Sequence, residues 1–295
     1  MRRITFLCLA LASAAVAQRP RYGGTLRIRL ESGAAQPTGD AFRIAESEGA
    51  RVLLTANEKA RGGRPFLDTV EIELGRNIRD LPAELDLDRA DVVELSPADA
   101  RRVEQRGARV ESTRPLDVIA LGFDRARPAV REENVRRTLA QSIDRGAIHS
   151  VLLQKQGIPA DAIVPQWLSG FAFLFERPPA GAASRASITL GVEPRDPLYR
   201  LMADRIALNA REAGLTVRVA GGETDVWLVR RAMSSFEIPA EPEKAYLAER
   251  DLLAEAWIVP LFHVPRLYGL GARVRNWKTG PAGEWTLEDV WLAAQ

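Results

Sequence analysis

The chain has 295 residues, of which 46% are hydrophobic and 27% are charged. This composition is typical of a globular protein with one large or two ordinary domains. The 41 basic residues include Arg2 and Arg3, and without these two the basic residues equal the 39 acidic ones in number. Nucleic-acid binding driven by phosphate contacts needs a basic surplus, so the charge balance argues against a nucleic-acid partner.

The start of the chain has the three parts of a secretory signal peptide. Met1-Arg2-Arg3 is positive, residues 4–17 are almost wholly apolar, and Ala15-Val16-Ala17 is a cleavage site. A membrane anchor is the alternative, but a spanning helix needs about 20 apolar residues. A lipid anchor at Cys8 is disfavoured because the apolar run continues past it. We expect residues 1–17 to be removed, leaving a periplasmic or secreted protein without thiols, since Cys8 is the single cysteine.

Alternation of apolar and polar residues predicts short strands in the first part of the chain. A period of two is the pattern of a strand with one buried face. Ser96 followed by Pro97 predicts a helix start, because serine is a favoured N-cap and proline suits the first helical position. Strands are predicted at 26–30, 41–44, 51–54, 70–74 and 92–93, and an apolar run predicts a central strand at 118–123.

Apolar residues at steps of three and four predict helices in the second part. The longest is predicted at 131–153, with Val135, Leu139 and Ile143 on one face. A loop is predicted at 177–186. Further helices are predicted at 197–213, at 244–256 and after Thr286, and strands at 215–219, 226–229, 257–264 and near Val274. This mixture predicts an α/β class, or mixed α+β.

The sequence carries no pattern typical of catalysis or of metal binding. A nucleophile needs a neighbouring base, and the chain has only two histidines, His149 and His263. His263 lies in an apolar strand, where a hydrogen-bonded core histidine is at least as good an interpretation as a functional one. Gly269-Leu270-Gly271 is only a fragment of a nucleotide-binding glycine pattern. We therefore expect no catalytic residue, no metal and no cofactor.

Trp167 is the aromatic residue that most favours a binding role. It follows Pro165 in a predicted loop. A large amphipathic ring in a loop often forms part of a binding surface. The alternative, a ring that fills a gap in the core, has equal support.

Several segments, taken in order, resemble the family 5 extracellular solute-binding proteins, the receptors of dipeptide, oligopeptide and nickel ABC importers. The helix at 135–145, Val-Arg-Arg-Thr-Leu-Ala-Gln-Ser-Ile-Asp-Arg, is the most specific match. No single motif is decisive; the ordered set carries the resemblance. The other segments lie at 22–26, 62–70, 90–92, 121–128, 213–217 and 258–263.

The resemblance implies a periplasmic-binding-protein type II fold of two lobes that close across a hinge. It places 18–122 with 265–295 in lobe I, and 123–264 in lobe II. The family carries a peripheral domain after the first strand. Here the strand at 26–30 is followed at once by the segment 38–44, so the fold is expected in a reduced form that lacks this domain.

The resemblance also implies a function. It predicts a periplasmic receptor, a monomer, that binds a small peptide or other polar solute between the lobes and delivers it to an ABC permease in the inner membrane. One alternative is a reduced relative without a transport role, acting as a ligand sensor or a protein-interaction module. A hydrolase is the interpretation with the least support.

The candidate ligand-binding residues depart from the family in one place. Peptide-binding members hold the amino end of the ligand with an aspartate a few residues after a tryptophan. Here Trp227 is present but no aspartate follows it at that spacing, which leaves Asp225, Arg230 or Arg231 as substitutes. The candidates are Glu31, Ser32, Asp124, Trp167, Trp227, His263 and Tyr268.

Overall fold

The computed structural model describes residues 19–31, 39–170, 175, 186–193, 196–236, 239 and 241–294. The predicted signal peptide lies outside the described residues, as does almost all of the loop predicted at 177–186. Within the described ranges, no helix combines the length and the apolar character that crossing a membrane requires.

Strands and helices are mixed along the described residues. The strands are β1 Thr25–Arg29, β2 Phe42–Glu48, β3 Arg51–Ala56, β4 Thr69–Glu73, β5 Val92–Leu95, β6 Arg109–Ser112, β7 Asp117–Phe123, β8 Ile158–Pro159, β9 Ser187–Val192, β10 Thr216–Val219, β11 Val226–Ala232, β12 Ile258–Val264, β13 Leu267–Leu270, β14 Val274–Arg275 and β15 Trp291–Leu292. The α-helices are α1 Leu81–Asp86, α2 Pro97–Gln105, α3 Glu133–Ser142, α4 Arg145–Ala147, α5 Gln166–Ser169, α6 Pro197–Glu212 and α7 Pro242–Leu253. Short 3₁₀ turns at Pro128–Val130 and Met233–Ser235 and a π-helical turn at Ile148–Leu152 complete the set.

The first sheet has seven strands in the order β2-β3-β4-β1-β5-β13-β6. Strand β1 pairs in parallel with β4 and β5, so Ile28 faces Ile72 on one side and Val92 on the other. The alternation read from the sequence is confirmed, because Leu26 and Ile28 are fully buried. Strands β1 and β2, which correspond to the segments predicted as strands at 26–30 and 41–44, both belong to this sheet.

The second sheet has six strands in the order β10-β9-β11-β7-β12-β8. Strands β9, β10 and β11 run in parallel, and β7 is antiparallel to β11 and β12. Ile119 and Leu121 on β7 belong to the core that includes residues of α3 and α6. Val118 and Ala120 point to the other face, where they pack with Met233.

The chain crosses between the two sheets twice, at 113–116 and at 265–266. The crossings lie side by side, because Thr113 N donates to Arg266 O at 3.0 Å and Leu116 N donates to Val264 O at 3.1 Å. Strand β7 pairs with β11 and β12 in the second sheet. The first crossing therefore precedes the lobe boundary that we expected at 122/123. The apolar run at 118–123 predicts a strand, but the sequence does not show which of the two sheets this strand joins.

A carboxylate binds two guanidinium groups where the crossings meet. Asp117, whose side chain is 4% exposed, accepts from Arg230 Nε at 2.8 Å and from Arg266 Nη2 at 3.1 Å. Burial acts to raise the pKa of Asp117, but the two arginines together hold this pKa below its usual value. Asp117 thus connects a strand of the second sheet to the return crossing. We call these three residues the crossing network.

Two helix predictions need correction. The helix predicted at 131–153 ends at Ser142, because Ile143 is extended (ψ 116°) and Asp144 N donates to Asn209 Oδ1 at 3.3 Å. The helix predicted after Thr286 does not form; Trp291 lies in β15, which pairs with β14. Its capping signal is overridden because Leu287 and Val290 are buried in the first sheet's core. The same kind of signal at Ser96 is confirmed, since Ser96 Oγ accepts from Asp99 N at 3.2 Å.

Gly191→Ala should destabilise the second sheet. A Cβ at Gly191 would lie 2.6 Å from the ring of Trp227 and 2.6 Å from Thr224 Oγ1. Overpacking of this kind costs about 1–3 kcal/mol of the free energy of unfolding. Urea unfolding followed by tryptophan fluorescence measures it. Gly221→Ala is the matched control, because no atom lies within 4 Å of its Cβ; equal midpoints for the two variants would contradict this packing.

Asp117→Asn should destabilise the fold by about 3 kcal/mol, because it leaves two guanidinium groups without their shared carboxylate. This figure is at the low end for a broken buried pair, since the arginine side chains stay 15–21% exposed. The depressed pKa of Asp117 adds stability above about pH 4, the unfolded value. That stability is lost as the pH falls through the folded value, so the difference between wild type and variant should shrink from pH 5 to pH 2.

Chemical denaturation at each pH checks this expectation. Asp251→Asn is the control, because Asp251 is 67% exposed and its ion pair among the described residues is with its neighbour Arg250 at 2.8 Å. We expect the control to change the free energy of unfolding by less than about 0.5 kcal/mol. A constant difference between wild type and Asp117→Asn from pH 5 to pH 2 would refute the assignment.

Candidate functional site

The candidate site is an opening between the carboxyl ends of the parallel strands of the two sheets. Loops that follow parallel strands gather at this edge, which is where open α/β sheets bind ligands. Glu31 follows β1, Arg76 follows β4, and Pro197 begins α6 after β9. The opening has a volume of about 870 Å³. Its lining residues, which define the cleft, are Glu31, Gly75, Arg76, Asn77, Arg79, Pro197, Arg200 and Leu201.

Three arginines give the cleft its charge. Arg76 is held by Glu84 and lies 3.7 Å from Glu73, so its guanidinium is engaged on its own side of the cleft. Arg200, on the other side, donates from Nε to Asp204 Oδ1 at 3.2 Å. Arg79 donates only its backbone N–H, to Asn77 Oδ1 at 3.1 Å. Among the residues that the structure describes, its guanidinium has no hydrogen-bond or ion-pair partner.

A smaller inner pocket continues from the cleft toward the crossings. Its volume is about 30 Å³, enough for about two water molecules. Glu31 lines both spaces, and Glu94, Asp196, Tyr199 and Arg230 line the inner pocket. Arg230 belongs to the crossing network, so the floor of the opening is built on the contact between the sheets.

The ionisable groups of the inner pocket are occupied by the protein itself. Asp196 caps α6 by accepting from Leu198 N at 2.8 Å, and its burial raises the pKa of this carboxyl. Glu94 Oε2 accepts from Glu31 N at 3.1 Å. Burial raises the pKa of Tyr199 to about 12, so its hydroxyl stays protonated. These ionisable groups of the inner pocket are therefore engaged within the protein, and the cleft is the larger space for a ligand.

The structure places one of the residues predicted from sequence, Glu31, in the cleft. Ser32 lies outside the described residues. Asp124 follows the far end of β7, whereas Asp117 at its near end faces the crossings. Seven strand residues span about 20 Å, so Asp124 lies on the opposite edge of the second sheet. There its Oδ1 accepts from Ala126 N at 2.9 Å, and it does not contribute to the cleft.

The predicted tryptophans pack against the second sheet. Trp167 packs on the face formed by Val118, Ala120 and Met233. Arg114 lies 5.8 Å from the centre of its ring. Trp227 lies over Gly191, where a missing Cβ makes room for the ring. Neither ring lines the cleft, and for Trp167 the alternative of a packing role fits the structure.

His263 and Tyr268 are core residues. His263 is 3% exposed, and its Nε2 donates to the carbonyl oxygens of Ala162 at 2.8 Å and of Ile163 at 3.0 Å. Burial lowers the pKa of this imidazole, which keeps it neutral. Tyr268 is 1% exposed and packs edge-on against Trp285, with the ring centres 6.0 Å apart. Both side chains are occupied by packing.

Sequence reasoning missed the cleft arginines Arg76, Arg79 and Arg200. The chain has 41 basic residues, and an exposed arginine carries no pattern that separates it from the others. The usable signal is position, because these residues closely follow β4 or begin the helix after β9. Arg230 was considered from sequence as a substitute charge, and it lines the inner pocket.

Comparison with solved structures finds the same architecture in much longer chains. A dipeptide binding protein from Pseudoalteromonas sp. SM9913, in complex with Met-Leu, aligns with a TM-score of 0.68 at 16% identity over 86% of this chain and 64% of that one. The oligopeptide-binding protein AppA from Bacillus subtilis, in complex with a nonapeptide, gives a TM-score of 0.65 at 15% identity over 86% and 66%. NikA from Brucella suis, in complex with Fe(III)-EDTA, gives 0.69 at 15% over 86% and 68%.

These similarities confirm the predicted α/β fold of two lobes. The chain spans just under two thirds of the length of the first two structures, and identities this low show the fold alone. Comparison with curated proteins found no match. The family model described as bacterial extracellular solute-binding proteins, family 5 Middle, matches residues 31–238, which is more than half of the chain. The chain belongs to the family 5 bacterial extracellular solute-binding proteins.

Proposed function

We propose that the protein is the receptor of an ABC importer: it holds a small polar solute, peptide-like or otherwise, in the cleft and passes it to a permease in the inner membrane. The observation that carries this proposal is the cleft itself. Its volume of about 870 Å³ falls within the 300–1,000 Å³ of ordinary ligand sites. Residues from both sheets line it, as a receptor that closes on its solute requires.

Closure would turn on the paired crossings at 113–116 and 265–266. A hinge needs only a few residues that absorb changes of backbone angle, and the two crossings are adjacent short segments. A solute that contacts Arg79 on the first lobe and Arg200 on the second gains its full contacts only in the closed form. It therefore shifts an existing balance between open and closed forms.

The proposed role is binding without conversion of the solute. Proteins of this family bind and transport substrates and are not enzymes. The cleft residues named above include no histidine, cysteine or serine that could form a nucleophile–base pair. We propose Arg79 and Arg200 as ligand contacts, with Glu31 lining the cleft beside them, in place of the core residues that sequence reasoning favoured.

The place of action follows from the family, whose members are extracellular. We propose that cleavage after Ala17 releases this chain into the periplasm as a monomer. There it would load its solute and dock on the permease. Trp227, His263 and Tyr268 would support the lobes without touching the solute.

Leu201→Trp should weaken solute binding at least tenfold, because Leu201 lines the cleft and is 55% exposed, so a larger ring would occupy the ligand's space. Leu208→Trp is the matched control: Leu208 is 48% exposed on the same helix but does not line the cleft. Isothermal titration calorimetry against a panel of amino acids, dipeptides, metal chelates and polycarboxylates would identify a binding solute. Small-angle X-ray scattering should then show a smaller radius of gyration with that solute.

Two results would count against the receptor proposal. One is a folded wild-type protein that shows neither heat nor a melting shift with any member of the panel. The other is binding that Leu201→Trp and Leu208→Trp reduce equally, which would place the solute outside the cleft.

A further inference from the structure

We propose that the solute is an anion carrying carboxylate groups, and that Arg79 and Arg200 hold it from opposite walls of the cleft. This inference depends on the receptor function proposed above and specifies its substrate class. The inference is based on two observations: which side chains line the cleft, and which of these side chains can still bind a ligand.

The walls of the cleft carry more positive than negative side chains. Arg76 and Arg79 come from the first lobe and Arg200 from the second, while Glu31 is the single acid in the lining. At the inner end Arg230 adds a fourth guanidinium, already held by Asp117. An ammonium group that entered the cleft would meet arginines at its mouth. At the floor, Arg230 lies beside Glu94 and Asp196, which already accept hydrogen bonds within the protein.

The available donors are guanidinium groups. Arg79 has no side-chain partner among the described residues. Arg200 pairs with Asp204 one helical turn away, and both side chains are more than half exposed. A pair of this kind contributes little and exchanges readily for a ligand. Arg76, in contrast, is fixed by Glu84.

The acids near the cleft are engaged. Asp196 caps α6, and Glu94 accepts from the backbone of Glu31. Glu31 itself makes further contacts within the protein. The inner pocket beside these acids has room for about two water molecules, so a whole solute has to lie in the cleft and not beside these acids. Among the described residues, the cleft thus offers a ligand the guanidinium groups of Arg79 and Arg200, whereas the carboxylates near it already accept hydrogen bonds within the protein.

Anion binding also explains why a solute would close the lobes. Arg79 and Arg200 lie on opposite walls, so their charges repel each other as the walls approach. A solute with two carboxylates would replace this repulsion with charge-assisted hydrogen bonds on both sides, for which the guanidinium fork is well suited. Because these bonds form fully only in the closed form, the anion favours that form over the open one.

Three dipeptides of equal backbone and different charge test the proposal: Glu-Glu, Ala-Ala and Lys-Lys. Calorimetry with the full mature chain should show Glu-Glu binding at least tenfold tighter than Ala-Ala, with no measurable binding of Lys-Lys. The Glu-Glu affinity should fall as salt rises from 20 to about 300 mM, because added ions screen exposed charges. Citrate distinguishes the two possible kinds of anionic solute. If citrate binds more tightly than Glu-Glu, the solute is a polycarboxylate that is not a peptide. If Glu-Glu binds more tightly than citrate, the solute is an acidic peptide. Both results support an anionic solute.

Arginine variants locate the contacts. Arg79→Gln and Arg200→Gln should each weaken binding of the tighter anion about tenfold or more, while Arg200→Glu should also allow Lys-Lys to bind. Arg61→Gln is the control, since Arg61 is 92% exposed beside Asp40 and outside the cleft. It should bind as wild type does. All three positions are exposed, so the four variants should melt at the same temperature as wild type.

The outcomes separate this inference from the receptor function. If Ala-Ala or Lys-Lys binds as tightly as Glu-Glu and citrate, and the glutamine variants bind unchanged, the anion proposal is overturned while the receptor function stands. If neither the dipeptides nor citrate binds folded wild-type protein, the anion proposal fails, and the wider panel then decides the receptor function.

Discussion

The shared carboxylate of Asp117 is the interaction on which the rest of the structure depends. It lies where β7 enters the second sheet, and it binds Arg230 of that sheet and Arg266 of the return crossing. One buried acid thus fixes the two connections that set the sheets opposite each other. Burying it is costly by itself, so its two partners make the arrangement possible. The floor beneath the cleft depends on this contact, since Arg230 also lines the inner pocket.

Strand direction then determines where the chemistry lies. In both sheets the parallel strands end toward the crossings, so the residues that follow β1, β4 and β9 meet across one space. The walls are made of short loops and the first turn of α6, so the site is formed by several elements together. A ligand there can connect the lobes without disturbing either core, because both cores lie on the faces of their sheets.

The positions of the strands could be predicted from the sequence better than the strands with which each of them pairs. Alternation located β1 and β4 because a half-buried strand repeats every two residues, and the ordered motifs identified the family. That β7 joins the second sheet, or that Asn209 ends α3 near Ile143, depends on contacts distant in sequence. His263 and Tyr268 were predicted as ligand contacts because of their residue types, but both side chains are buried and pack in the core. Arg79 and Arg200 could not be predicted as site residues, because they line one cleft only after the fold places the two lobes opposite each other.

The short connection between β1 and β2 affects which parts of the protein can line the cleft. Arg29 ends one strand and Phe42 begins another of the same sheet, and the segment between them is far shorter than the about 50 residues of a small domain. The peripheral domain expected of the family is thus absent at this point, as the sequence predicted, and the first sheet closes without it. Among the described residues, the lining of the cleft comes from the two lobes themselves. Arginine has a long reach and five donors, so the proposed receptor would recognise its solute through the charged side chains of the two lobes as they close.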